Sequence, residues 1–303
     1  MRDATPHLRI LHPHPGIVAF YDGRVAGYRF MPGPNWVDEG AIEVGIASYA
    51  VVSGDAALVY DPHVSLDHAR AIRAALAAMG VRHFTVVLSH WHLDHVAGTE
   101  VFADCEVIAN ARTAALLARH KAAIEEGRHG GLPPIRPLVL PGRVFSGRLE
   151  VTIGTRQVAL IEANIHSEDA TVAWLADARI LLAGDTVEDC VTYVTSPEDF
   201  DLHLQDLARL AALAPLHVLP NHGSPDIIAA GGYTAAIFAD TADYIRWLLG
   251  LRDAPALQVV PMRQVIAAAL AAGRLEYFAP YEAVHRENIA RVLQMFATDA
   301  GSA

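Results

Sequence analysis

The chain has 303 residues, 52% of them hydrophobic, and a net charge of −11 with histidine neutral. That length suits one large domain or two small ones, and the apolar fraction is ample for a sizeable core. An acidic balance with no Lys/Arg-rich run argues against a phosphate-binding nucleic-acid surface, and no run of eighteen apolar residues suggests a membrane span. Met1 to Ile10 carries Arg2, Asp3, His7 and Arg9 and lacks the apolar core of a signal peptide. Cys105 and Cys190 make no disulfide framework. Both features point to a reducing, cytoplasmic setting. Cys190 lies five residues after Asp185, but a buried, inert thiol is the preferred reading.

Residues 1–16 are rich in Pro and His and read as an extended arm, with His7, His12 and His14 solvated. Strand-like runs follow near Ile17–Tyr21, Tyr28–Phe30, Ile46–Val52 and Ala57–Tyr60, the last closed by Asp61-Pro62-His63. A helix is predicted over Leu66–Met79, with Asp61 or Asp67 as its cap. After the next apolar strand comes Ser89-His90-Trp91-His92-Leu93-Asp94-His95, with four metal-binding side chains in six positions. One histidine in an Ala-rich chain is ordinarily solvated or packed in a core. This density instead suits zinc or a similar divalent ion.

Asn110 precedes an Ala/Leu-rich helix, Ala111 to Glu126, and Gly130-Gly131-Leu132-Pro133-Pro134 forms a loop. Helix and loop are either one wall of a cleft or a surface connection. Three more apolar runs end in a ligand type: Val158 to Ile161 leads on to His166, Ile180–Gly184 to Asp185, and His217–Asn221 to His222. In layered α/β proteins such groups gather beyond the carboxyl ends of strands. Helices are predicted at about Asp199–Ala214, Tyr233–Leu251, Met262–Ala272 and Tyr281–Ala297.

Over residues 45 to 225 the sequence resembles the metallo-β-lactamase superfamily. His90, His92 and His166 match its first metal site; Asp94, His95 and His222 match its second; Asp185 matches the carboxylate that bridges both ions. The resemblance implies an α/β fold, a four-layer αββα sandwich, with halves near 1–135 and 136–230. Residues 231–303 would be a C-terminal helical extension of the same domain. Asp61 occupies the place of a carboxylate that the family keeps beneath its metals, where it would orient ligands; capping the helix is the rival role.

Two divalent ions per chain, zinc foremost with manganese, iron or cobalt as alternates, would sit about 3.5–4 Å apart and share a hydroxide. The implied enzyme is a dinuclear zinc-dependent hydrolase whose metal-bound hydroxide cleaves a lactone, ester, thioester or cyclic amide of a small molecule. Asp94 would add proton transfer to ligation. No serine is set as a nucleophile: Ser89 and Ser167 lack a Gly-x-Ser-x-Gly context and read as hydrogen-bonding residues.

Departures from named branches narrow this further. Asp185 stands where zinc β-lactamases usually have cysteine, which favours lactonase and glyoxalase II relatives. His166-Ser167-Glu168-Asp169 resembles the His-Thr-x-Asp segment of one β-lactamase subclass, so β-lactam hydrolysis stays as an alternative. At position 188 many β-lactamases use Lys and acyl-homoserine lactonases use Tyr. Here Glu188 either faces the cleft and disfavours anionic substrates or is solvated, and Tyr193 is a candidate for the missing phenol. The basic glutathione-binding residues of glyoxalase II are not evident. A mononuclear iron enzyme resembling persulfide dioxygenases is the alternative from another class. Flavo-diiron proteins place Glu where His92 stands. Nucleic acid and membrane are not expected partners, and a homodimer is expected from family habit alone.

Overall fold

All six side chains of Ile17–Asp22 are buried, yet they go to two places. Ile17, Ala19 and Tyr21 join one apolar cluster; Val18 and Phe20 join another. Successive side chains leave a strand on opposite faces, so this strand is covered on both sides. The computed structural model describes residues 5–301; Arg2 and Asp3 lie outside the described residues.

Seven strands make the first sheet in sequence order: β1 (Arg9–His14), β2 (Ile17–Asp22), β3 (Ile46–Ser53), β4 (Ala56–Tyr60), β5 (His83–Val87), β6 (Glu106–Asn110) and β7 (Arg143–Phe145). β1 to β4 are antiparallel, and β4 to β7 pair in parallel. The second sheet is ordered β12-β11-β10-β9-β8, with β8 (Arg148–Ile153), β9 (Arg156–Ile165), β10 (Ser167–Leu175), β11 (Ile180–Gly184) and β12 (His217–Pro220). Only β11 and β12 pair in parallel there. Tyr49, Leu58 and Tyr60 from the first sheet pack in one cluster with Leu160, Val172 and Leu182 from the second. Sheet lies on sheet, with helices outside.

The helices are α1 (Leu66–Ala78), the short α2 (Leu93–Val96), α3 (Ala111–Glu125), α4 (Phe200–Ala211), α5 (Pro225–Ala229), α6 (Ala236–Gly250), the short α7 (Met262–Val265) and α8 (Ala267–Ala271), and α9 (Tyr281–Gly301). Ile72 and Leu76 of α1 and Leu117 and Ile124 of α3 cover the outer face of the first sheet. Phe200 and Leu207 of α4, Phe238 and Tyr244 of α6 and Tyr281 and Val292 of α9 share the core of the second. No described helix is long and apolar enough to cross a membrane.

Several sequence expectations change. The amino-terminal arm contains a strand: Arg9–His14 pairs with β2, and His14 Nε2 donates to Gly231 O at 2.8 Å. Tyr28–Phe30 is a loop, because Pro32-Gly33-Pro34 cannot continue a ladder and Asp38 Oδ1 accepts from Phe30 N at 2.6 Å. The change of sheet falls between Phe145 and Arg148, ten residues later than the break at 135. The predicted helix Met262–Ala272 is two short ones broken at Ile266. Ser65, not Asp61 or Asp67, caps α1 by accepting from His68 N. Asn110, which directly precedes α3, caps it by accepting from Arg112 N and Thr113 N.

Candidate metal centre

Strand ends deliver the candidate ligands. β5 runs out through Leu88 and Ser89 into the motif, where α2 turns Asp94 and His95 inward. The turn between β9 and β10 supplies His166, whose backbone is left-handed (φ 67°), a conformation rare outside glycine. β11 ends at Asp185, and β12 ends just before Asn221 and His222.

Two groups of ligand atoms result. His90, His92 and His166 form the first, and Asp94, His95, Asp185 and His222 the second. His92 Nδ1 lies 2.9 Å from His90 Nε2 and 3.0 Å from His166 Nε2. Asp185 Oδ2 joins the groups: it lies 3.0 Å from His95 Nε2, 3.4 Å from His222 Nε2, and 3.6 Å from both His90 Nε2 and His166 Nε2. Asp94 Oδ2 is 3.3 Å from His95 Nε2 and from His222 Nε2.

Each inward nitrogen except that of His92 is aimed by a hydrogen bond on the far side of its ring. His166 Nδ1 donates to Tyr193 O at 2.9 Å and His222 Nδ1 to Gly45 O at 2.7 Å. A carbonyl can only accept, so both Nδ1 atoms carry a hydrogen and Nε2 is the atom each ring turns inward. His90 Nδ1 meets Ser89 Oγ at 2.9 Å, and His95 Nδ1 meets Asp61 Oδ2 at 2.9 Å. Asp61 also accepts from Ser89 N and from Asn221 Nδ2. It therefore sits beneath the ligands and ties two of the strand ends together. Such outer partners fix ring orientation in metal sites.

The donor set fits divalent cations. Lone pairs of buried imidazoles converge to about 3 Å, and Asp185 Oδ1 is buried with no hydrogen-bond partner. An unpaired buried carboxylate oxygen is costly, and a cation between the groups would satisfy it. The two groups differ in protonation. Burial, aided by neighbouring histidines, pushes His90 and His166 down and His92 to about 3. Burial is the largest single influence on His95 and His222 and opposes their charge, but Asp185 and the neighbouring carboxylates together outweigh it, and both are pushed well up. Burial likewise resists ionisation of Asp94 and Asp185, yet His95 and His222 hold both well below the carboxylate range.

Glu188 is buried, not solvated. It accepts from Tyr193 N at 2.9 Å and from Tyr281 Oη at 3.0 Å, lies 3.6 Å from His166 Nδ1, and is pushed by burial up to about 8. The Tyr193 hydroxyl accepts from Arg291 Nη2 at 2.5 Å. Both residues line a cleft of about 520 Å³ over the candidate ligands, with no Lys or Arg in its wall among the described residues. The Gly130 loop reaches this wall, so it is more than a surface connection. Cys190 is buried at the Glu276 carbonyl, and burial pushes its thiol up, in keeping with an inert role.

Two parts of the wall had no residue-level reading in the sequence, although the C-terminal helical tail was a candidate to enclose a substrate or to dimerise. One is the segment around Trp36, Glu39 and Glu43, whose helical turn Val37–Ile42 hangs on the buried Asp38. The other is the start of α9, through Ala283, Val284 and Glu287. Asn221 was also unread, although it directly precedes His222. Asp169 holds the motif from behind by accepting from Trp91 N at 2.9 Å and Thr113 Oγ1 at 2.8 Å.

The chain is similar to solved metallo-β-lactamases. DIM-1, crystallised after exposure to ceftazidime, is 19% identical with a TM-score of 0.60, covering 80% of this chain and 98% of that one. VMB-1 is 16% identical with a TM-score of 0.61, covering 81% and 99%, and the enzyme from Pontibacter korlensis is 16% identical with a TM-score of 0.60, covering 79% and 99%. These show a shared fold. Beta-lactamase-like protein 2 homolog of Caenorhabditis elegans is 24% identical over 182 residues, 59% of this chain, and the match spans 56% of that relative's length. Members of the metallo-beta-lactamase superfamily are generally hydrolytic and typically depend on divalent metals. That superfamily's sequence profile matches residues 41–262, and with the fold and the clustered His/Asp ligands it establishes that the chain belongs to the metallo-beta-lactamase superfamily.

Proposed function

We propose that this protein is a dinuclear metal-dependent hydrolase, zinc being the first candidate, that opens a lactone, ester, thioester or cyclic amide of a small molecule. The observation that carries the reading is the position of Asp185 Oδ2, within 3.0–3.6 Å of histidine nitrogens from both ligand groups. A pair of divalent cations held there would supply an activated water at neutral pH and a Lewis acid for the electrophilic oxygen.

The remaining chemistry belongs to the chain. Asp94 is the least buried carboxylate of the ligand set and lines the cleft, so its oxygen can take the water's proton and return it to the leaving group. Backbone carbonyls of Tyr193 and Gly45 keep His166 and His222 in the tautomer that presents Nε2 inward. Trp36, Val44 and Val284 give the cleft apolar surface that limits water around the reacting bond. A wall without Lys or Arg among the described residues suits an uncharged reacting group. The net charge of −11 supports a small molecule rather than a nucleic acid as substrate.

The test is metal content per chain on protein purified without chelators, paired with a screen of lactones, thioesters, esters and β-lactams. About two zinc ions and hydrolysis abolished by chelation are expected. One iron per chain, no hydrolysis and oxygen uptake with a persulfide would replace this reading with the dioxygenase alternative.

A further inference from the structure

A second cavity, of about 360 Å³, abuts the metal-centre cleft and shares Glu43 and Pro280 with its wall. Arg24, Tyr28, Ile42 and Phe278 line it. Arg24 is held in place there. Its Nε donates to Val44 O and its Nη2 to Asp189 O, both at 2.7 Å, and its guanidinium lies 4.4 Å from the centre of the Phe278 ring. Both acceptors are neutral carbonyls. Among the described residues no carboxylate reaches ion-pair distance of Arg24, and its Nη1 has no hydrogen bond. The Asp189 carboxylate is turned away, accepting from Tyr233 Oη and Glu276 N.

The other charges on this wall are accounted for differently. Arg29 lies 3.6 Å from both Asp38 and Glu39 and donates to Gly33 O. Asp38 accepts from Phe30 N, Met31 N and Asn35 Nδ2. Glu43 is exposed on the partition between the cavities. Arg24 is thus a half-buried cation packed on an aromatic ring, its charge favoured by Asp189 from further off but with no carboxylate at ion-pair distance, so an anion entering the cavity would be its direct partner. Its planar fork matches a carboxylate.

We propose that this cavity is a carboxylate-binding subsite, in which Arg24 receives the anionic end of a molecule whose uncharged end reacts at the metal centre. The second half of that statement rests on the hydrolase reading. The two cavities meet at Glu43 and Pro280, so one elongated molecule can occupy both. Apolar contact with Ile42 and Phe278 would hold its middle, and Glu43 weakens the attraction for an anion passing it.

Binding of 3-phenylpropionate and of its uncharged amide to the metal-loaded protein, measured by calorimetry, tests the subsite without turnover. The carboxylate is expected to bind about tenfold tighter than the amide. Arg24→Gln should erase that difference, Arg24→Lys should keep part of it, and Glu43→Gln should widen it about threefold. A carboxylate preference unchanged in Arg24→Gln, which is how binding at the metals alone would look, overturns the proposal. If Arg24→Gln fails to fold, Ala26→Asp decides: the exposed Ala26 lines this cavity and not the cleft, so the added charge lowers the carboxylate preference only if the anion binds here. Hydrolysis of esters ending in a carboxylate is then compared with that of their methyl-capped counterparts. Hydrolysis with no preference sinks the subsite alone; selective probe binding with no hydrolysis of any ester sinks the hydrolase reading alone.

Discussion

His90, His92 and His166 meet one another as bare imidazoles, whereas His95 and His222 meet between the carboxylates of Asp94 and Asp185. The residue type is the same, and the proton state is opposite. Burial dominates in the first group and keeps its rings neutral. Carboxylates dominate in the second and keep its rings protonated in the polypeptide alone. The first group is therefore ready for a cation, and the second has to release protons to take one. Asp185 is common to both, which makes it the place to break the comparison. Asp185→Asn is expected to lower metal occupancy of both groups and reduce hydrolysis by more than about a hundredfold. His222→Ala should empty the second group and spare the first. Metal content and turnover of the two variants check this; one metal per chain with unchanged turnover would contradict a dinuclear mechanism.

Acidity sharpens the same contrast. His95 and His222 titrate above the ordinary histidine value, so as pH falls below it they hold protons that compete with the cation. His90, His92 and His166 titrate below that value and do not compete near neutrality. Lowering the pH from about 8 to about 6 should weaken the second group by up to about tenfold per pH unit for each proton released, with the first group nearly flat. Metal content after dialysis at each pH measures it. Equal loss from both groups would contradict the assigned proton states.

Much of this candidate centre was legible in the sequence because several of the candidate ligands follow the end of a buried strand. His90, Asp185 and His222 each follow an apolar run, and a sheet holds such residues to one rim. The α1 and α3 segments were legible as helices from their sequence pattern. The walls were not. The turn at Val37–Ile42 follows Pro32-Gly33-Pro34 and depends on Asp38 gathering backbone N–H groups, a local arrangement with no periodic signature. The register of α9 against Glu188 and Tyr193 is a long-range contact between residues about ninety positions apart, which one sequence does not encode in any spacing. β1 was hidden by His and Pro in a strand that is only half-buried.

Asp61 belongs to the second group by contact, since its carboxylate touches His95 Nδ1 and Asn221 Nδ2. Asp61→Asn removes the charge that supports the His95 imidazole. A loss of about ten- to a hundredfold in metal affinity is expected, concentrated in the second group. Competition with a chromophoric chelator resolves the two affinities. A uniform loss at both would mean that Asp61 acts through the strand ends it joins rather than through His95.

The smallest effect should come from α9, which supports the first group through the 188–195 loop. Asn288 accepts from Val194 N at 2.8 Å and donates to Thr192 O at 3.0 Å, while Tyr281 holds Glu188. That loop carries the Tyr193 carbonyl, the partner of His166 Nδ1. Asn288→Ala leaves two buried backbone groups unpaired and should cost about 1–3 kcal/mol of stability. If the loop aims His166, affinity of the first group also falls severalfold while the second is spared. Cobalt substitution separates the effects, because its absorption reports ligand geometry independently of the melting temperature. A lower melting temperature with an unchanged cobalt spectrum would confine α9 to holding the fold together, and would leave the aim of His166 to the turn between β9 and β10.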